Sequence, residues 1–275
     1  HLETVTAALT AGKHVICEKP LVGSLAEVDQ LDACARAAGR SLMPVFQYRF
    51  GRGLAQAKHL LASGAAGRVY LASVETHWRR EAAYYDVPWR GKRKTELGGV
   101  MLGHAIHIHD MLTHLVGEVR AVSAALNVRV NPVETEDCAG ALLEMADGSI
   151  AVSSATLGSA DEISRLRLVC EHVTMVSNLS PHAPDREPWS FLTPTPQGAR
   201  GLEAARAAVD QKLEGYAEQF RRYHPSLCSG TALPVALDEA RRSIELVTAI
   251  YHAAATGTRV ALPIPNDHPA YRGWP

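Results

Sequence analysis

Apolar positions recur along the chain with two different periods, and the change from one to the other divides it. In "HLETVTAALTAG" (1–12) Leu2, Val5 and Leu9 fall on one helical face, and Gly12 supplies a C-terminal glycine. "KHVIC" (13–17) follows as a short β-branched strand. "SLAEVDQLDACARAAG" (24–39) opens with Ser24 and Glu27 in capping-box spacing and closes on Gly39, and "SLMPVF" (41–46) is the next strand. Helix, strand, helix, strand over residues 1–46 predicts a piece of a parallel, doubly wound sheet, an α/β unit.

Beyond that point the grammar changes. Residues 52–65 predict one more helix and "RVYLASVETHW" (68–78) a long strand. A loop dense in charge and aromatics (79–97) leads to a helix over 98–116. Four runs then read as strands joined by short turns: "VRAVSAALNVRV", "DCAGALLEMA", "GSIAVSSATLG" and "ISRLRLVC", with Asp147-Gly148 marking a hairpin. Strands in succession without helices between them predict an antiparallel sheet. Two Ala-rich helices, near 201–222 and 236–255, are expected to cover one face of it. The fold class expected is therefore α/β plus α+β, with residues 1–46 as the doubly wound part and residues 47–275 as a domain built on a large, mostly antiparallel open sheet.

Composition narrows the function. With 275 residues, 47% of them hydrophobic, the chain can bury a sizeable core. Its formal net charge of -1 comes from 28 basic and 29 acidic residues mixed along the length, which excludes the clustered positive field that nucleic acid or an anionic membrane demands. Small molecules are the expected partners. Five cysteines, odd in number and without a C-x-x-C pair, point to reduced thiols and a cytoplasmic setting. No apolar run approaches the ~18 residues of a membrane span.

Four segments carry candidate chemistry. "GRGLAQA" (51–57) imitates a dinucleotide fingerprint, but Gln56 stands where a glycine must let helix pack on strand, so a packed helix start is the expected role. "CEKPL" (17–21) sets Glu18 and Lys19 at the C-terminal end of a strand, where open α/β sheets bind ligands; a solvated turn stiffened by Pro20 is the competing reading. The loop 79–94 mixes Tyr84, Tyr85, Trp89 and Arg90, suited to stacking on a flat ring and gripping hydroxyl or carboxylate groups. "GGVMLGHAIHIHD" (98–110) offers three histidines and an aspartate. A metal site would need further ligands at suitable spacing after Asp110, and His107 and His109 point to nearly opposite faces of a helix, so no metal is expected. His104 and His107 share a face, which favours proton chemistry.

The order of these motifs resembles the Gfo/Idh/MocA family of oxidoreductases. The similarity is carried by "H-x-E-x-V-x-x-A-L-x-A-G-K-H-V-x-x-E-K-P", "Q-Y-R-F", "W-R-G", "G-G-x-x-x-x-x-x-I-H-x-x-D", "E-D-C-A" and "A-x-x-G-x-x-V-x-L-P-I", and it runs from His1 to about Ile264. It implies a Rossmann domain for NAD or NADP, of which residues 1–46 would be the C-terminal part without the glycine-rich loop, and a substrate domain whose open sheet makes homo-oligomer contacts. It further implies catalytic roles for Lys19, His107 and His104, cofactor contacts from Glu18, Lys19, Pro20, Trp89 and Arg90, and substrate contacts from Gln47, Arg49, Tyr85 and His104. Many members carry an aspartate four residues before the catalytic histidine; here that position is Gly103. His104 is the expected substitute, hydrogen-bonded to His107, with His109 and His114 structural and Asp110 anchoring the helix. The function expected is hydride transfer between a nicotinamide cofactor and a sugar, cyclitol or related polyol. A non-catalytic family member and an NAD-dependent glycosidase are the alternatives.

Overall fold

The computed structural model describes residues 1–274. Its first elements follow the predicted alternation: α1 (Leu2–Thr10), β1 (Val15–Cys17), α2 (Leu25–Ala38) and β2 (Leu42–Pro44). β1 and β2 pair in parallel, Ile16 opposite Met43. Leu25, Val28, Leu31 and Ala35 make the buried stripe of α2. At its start Ser24 Oγ accepts the N–H of Glu27, while the Glu27 carboxylate turns to the N–H of Gly23, so the capping box is displaced by one residue. This unit packs directly on the rest of the chain, because Leu9, Leu25 and Leu42 belong to the same buried cluster as Leu166 and Ile250.

A 3-10 turn (Gln47–Phe50) leads into α3 (Arg52–Ala62), β3 (Val69–Arg79), a loop holding the short α4 (Arg93–Glu96), and a π-helical turn (Met101–Ala105) that runs into α5 (Ile106–Val116). Then come β4 (Val119–Asn127), β5 (Cys138–Met145), β6 (Ile150–Thr156), β7 (Gly158–Cys170), β8 (Thr174–Val176), β9 (Ser190–Leu192), α6 (Pro196–Ala208), α7 (Gly215–Ser229), α8 (Leu237–Thr256) and β10 (Val260–Ala261). Eight strands form one sheet in the order β10-β4-β5-β6-β3-β7-β8-β9.

The sheet is antiparallel except where β3 runs parallel to β6. Asp147-Gly148 closes the β5–β6 hairpin as expected, with Gly148 at φ +90°. The next expected neighbour pair does not form. β3 lies between β6 and β7, and the chain steps round its end at Leu157, whose carbonyl accepts the N–H of Arg80. Residues 71–77 of β3 thus find partners on both sides. Ala72, Val74, Ala151, Ala155, Leu166 and Leu168 face inward and are buried, beneath α5 and α8. Leu71, Leu142, Ile150 and Val152 point the other way, 41–45% exposed.

The single helix expected over 201–222 is two. The chain breaks at 209–214, Gln211 donates to the Phe50 carbonyl, and α7 restarts at Gly215 with a left-handed φ of +60°. Neither half covers the sheet: α6 packs on α3 and α7 on the 3-10 turn at 47–50. All five cysteines are unpaired. Among the described residues no helix is long and apolar enough to cross a membrane.

Candidate active site

The histidine-bearing segment is positioned from its N-terminal end. A side chain at Gly99 would drive its Cβ into the Glu136 carbonyl, and one at Gly98 would collide with the Tyr251 hydroxyl, so only glycine lets the chain enter here. Buried Glu136 accepts the N–H groups of Gly99 (2.9 Å) and Met101 (3.0 Å), and Tyr251 donates its hydroxyl to it at 2.6 Å. These are the orphan donors of a helix start, met by a carboxylate. Burial raises the Glu136 carboxyl pKa and the hydrogen bonds oppose the rise. One uninterrupted helix is expected over 98–116; instead Met101–Ala105 form a wide π turn before α5 begins.

That turn and the end of β1 meet in a cleft of about 460 Å³ bordered by Lys19, Gln47, Tyr48, Gly103, His104 and His107. Lys19 donates from Nζ to the Gly103 carbonyl at 2.7 Å. The backbone at Gly103 therefore holds the lysine at the position where the resemblance implies a carboxylate. Burial lowers the Lys19 pKa, with the charge of Glu18 opposing. The His107 ring is stacked on Tyr48 with centroids 4.6 Å apart, and His104 stands edge-on to Trp78 at 5.0 Å. Burial, then the charge of Lys19, pushes the His104 pKa down to about 3 and that of His107 well below the usual imidazole value. Both rings are neutral at pH 7, and both leave Nδ1 buried without a hydrogen-bond partner. The expected His104–His107 hydrogen bond is absent among the described residues; each ring is fixed by an aromatic neighbour.

Several expected site residues lie elsewhere. Arg49 is buried on the opposite side of α5, giving Nε and Nη2 to the two Asp110 oxygens at 2.7 and 2.6 Å and Nη1 to Glu239. A substrate-binding role for it is corrected to a structural one, since every arm of its fork is committed within the fold. Asp110 is accordingly the helix anchor expected. Tyr85 packs over Gly91 and edge-on to Tyr84, and it is Tyr84 that borders the cleft. Trp89 is 47% exposed and lies outside the lining, whereas Arg90 beside it reaches in. Glu18 and Pro20 flank Lys19 without lining the cleft, the Glu18 carboxylate accepting the Lys19 N–H at 3.2 Å. Gln47 does line it, with Oε1 buried and unpaired. His109 meets Ser153 Oγ at 2.8 Å through Nε2. His114 lies beyond it, its carbonyl accepting from Lys58. Gly51, in the imitation fingerprint, packs on the Asp185 backbone.

Sequence reasoning missed Trp78, Arg80, His182 and Asp185. Trp78 and Arg80 had one signal, the end of a long strand; His182 and Asp185 sit in a Pro-rich loop that gives none. A larger cavity of about 590 Å³ lies behind α5, where Arg49 pairs with Glu239, Arg242 with Glu118, and Lys58 donates to the His114 carbonyl. The smaller cleft holds buried polar atoms without partners among the described residues, Gln47 Oε1 and the Nδ1 atoms of His104 and His107.

Comparison with known proteins places the chain. Residues 1–46 match the oxidoreductase family model described as an NAD-binding Rossmann fold, and residues 54–176 match the Gfo/Idh/MocA C-terminal domain. A 1-carboxy-3-chloro-3,4-dihydroxycyclohexa-1,5-diene dehydrogenase of Comamonas testosteroni is 33% identical over 54% of this chain, and levoglucosan dehydrogenase of Pseudarthrobacter phenanthrenivorans 35% over 46%. Those matches span only 37% and 33% of the two enzymes' own length. Myo-inositol 2-dehydrogenase of Thermotoga maritima aligns more fully, at 26% identity over 90% of this chain and 72% of that one. Among solved structures, the WlbA dehydrogenase from Bordetella pertussis in complex with NADH and UDP-GlcNAcA superposes with a TM-score of 0.83 at 26% identity, covering 96% of this chain and 77% of that one. The two matched models together cover more than half of the sequence in the order the motifs predict, and the chain belongs to the Gfo/Idh/MocA family of oxidoreductases.

Proposed function

We propose that the protein is an NAD(P)-dependent dehydrogenase acting on a CH–OH group of a sugar, cyclitol or related polyol. The observation that carries this is the meeting of a buried ammonium, Lys19, with the neutral imidazole of His107 in one cleft at the C-terminal end of β1. A nicotinamide cofactor, when bound, supplies the hydride acceptor. The chain fits it: the match to the NAD-binding fold ends at β2, and Lys19 with Glu18 and Pro20 stands at the strand end where such folds receive a ligand.

The chain's own residues handle the proton and the charge. Lys19 uses one donor on Gly103 and has two left for a substrate oxygen. A cation there stabilises the alkoxide that develops as the hydride leaves. His107, kept neutral by burial, is ready to accept the hydroxyl proton, and Tyr48 stacking fixes its plane. The unpaired Gln47 oxygen awaits a further hydroxyl donor. The relatives named as levoglucosan and myo-inositol dehydrogenases support a polyhydroxylated substrate, and the solved complex with NADH supports the cofactor class. The five unpaired thiols fit a cytoplasmic enzyme. The exposed apolar sheet face fits a homo-oligomer.

The test is cofactor reduction by the purified protein with NAD+ and NADP+ against a panel of polyols. Lys19→Met keeps the aliphatic volume and removes the charge, so turnover is expected to fall at least ~100-fold, and His107→Ala by a similar factor. Retention of a tenth of the activity by Lys19→Met would sink the site assignment. No reduction of either cofactor by any polyol would sink the dehydrogenase reading.

A further inference from the structure

The cleft carries more positive charge than hydride transfer from a neutral polyol uses. Arg80, Arg90 and Arg186 border it along with Lys19, and the acid in the lining is Asp185, which burial favours in its uncharged form. Two of the three arginines have an acidic partner, although Arg80 keeps its Nε buried without an acceptor. Arg80 donates from Nη1 to Glu162 at 2.8 Å, and Arg186 lies 3.8 Å from Glu214. Arg90 differs: it makes no ion pair or side-chain hydrogen bond with a described residue, and its Nε and Nη1 are shielded from solvent. The nearby Glu96 carboxylate is hydrogen-bonded to the N–H of Gly91 and acts on Arg90 through its charge alone.

Its guanidinium is nevertheless held in one place. It stacks 3.6 Å above the Tyr84 ring and 4.8 Å from the Trp89 ring. The Arg80 guanidinium lies 5.1 Å from the same Tyr84 ring and 4.9 Å from Trp78. Two like charges around one phenol ring repel each other, and shielded N–H donors without acceptors cost free energy. Both costs vanish when an anion with two coplanar oxygens enters, because a guanidinium fork fits a carboxylate with two parallel hydrogen bonds. His104 is the neighbour that links this corner to the proton chemistry, its ring 6.1 Å from Tyr84. A cleft of about 460 Å³ suits one six-carbon ligand spanning both.

We propose that the substrate carries a carboxylate, bound by Arg90 above the Tyr84 ring, so that the protein acts on an acid sugar or acid polyol in preference to its neutral counterpart. The carboxylate contact stands on the arginine geometry; only the fate of the hydroxyl at the other end rests on the dehydrogenase reading.

The test is calorimetric titration of the purified protein with hexuronates of gluco, galacto and manno configuration, each beside its parent hexose, together with glucose 6-phosphate and NADH. The preferred uronate is expected to bind at least ~10-fold more tightly than its hexose. Arg90→Gln should abolish that preference with an unchanged thermal unfolding profile, and Arg90→Lys should keep part of it. Equal affinity within every pair, no uronate binding at ~10 mM, or a preference that survives Arg90→Gln overturns the proposal. So does glucose 6-phosphate binding more tightly than any uronate, or an equal loss of NADH affinity in Arg90→Gln, which would give Arg90 to a phosphate. Cofactor reduction is followed separately: its absence with the uronate preference intact strikes the dehydrogenase reading alone.

Discussion

Asp185 shows how a single buried group leaves a mark on the whole stability curve. Its Oδ2 is buried without a partner, and burial pushes its carboxyl up to about 7 from an ordinary 3.8. Between those pH values the unfolded chain has released a proton that the folded chain keeps. The contribution of Asp185 to stability is therefore complete below about pH 4 and is lost as pH rises through 7, at about 1.4 kcal/mol per pH unit. Asp185→Asn cannot ionise. Relative to wild type it is expected to gain stability progressively from about pH 4 to 7, by a few kcal/mol at most, and to hold that gain above. Urea unfolding at a series of pH values checks this, and a difference that ignores pH would refute it. His104 acts with the opposite sign. Its pKa is pushed down from 6.5 to about 3, so its contribution is complete above about pH 6.5 and is lost as pH falls from there through about 3.

The element that matters most is the segment from Gly98 through α5, and its geometry is set by a few contacts at its start. Glu136 is not interchangeable with glutamine, because one of the two oxygens that face N–H donors would become a donor itself. Glu136→Gln should lower stability by about 2–3 kcal/mol, the cost of losing charge-assisted hydrogen bonds and burying a mismatched amide. Gly99→Ala should cost at least as much, since its Cβ would meet backbone rather than a movable side chain. Denaturant midpoints measure both. If either variant unfolds like wild type, the π turn is held by packing alone and the Glu136 contacts are incidental. Arg49 with Asp110 secures the rest of α5 from the far side, which explains why an arginine in a motif read as substrate-binding never reaches the cleft.

At the scale of the whole molecule, one face of the large sheet is exposed and apolar. Leu71, Leu142, Ile150 and Val152 form adjacent exposed positions on β3, β5 and β6. An exposed apolar patch at the centre of this eight-stranded sheet supports the homo-oligomer proposed above. Sedimentation velocity is expected to show a dimer or larger species at ~10 μM, and the double variant Leu142→Glu with Val152→Glu is expected to be monomeric. A wild-type monomer at that concentration would remove the sheet from consideration as an interface.

Whatever depends on neighbours within a turn or two of chain could be read from the amino-acid order. The periodic stripes of α1 and α2, the caps at Ser24 and Gly39, the Asp147-Gly148 hairpin and the placing of Lys19 at a strand end all follow from local geometry, and all are present. His104 and His107 were legible for the same reason, as two positions one turn apart. Everything that depends on a partner far along the chain was settled by long-range packing. No local pattern tells β7 to pair with β3 rather than with β6, because strand alternation fixes which face is buried and leaves the neighbour open. Nor could spacing show that Arg49 would be claimed by Asp110, 61 residues away, or that Arg90 would be left without an acceptor. In the loop at 79–97 the chain has no period, so the choice of Tyr84 over Tyr85 for the cleft was made by packing alone. Local free energies selected the elements. Burial and charge pairing between distant residues selected which side chains remained unpaired in the cleft.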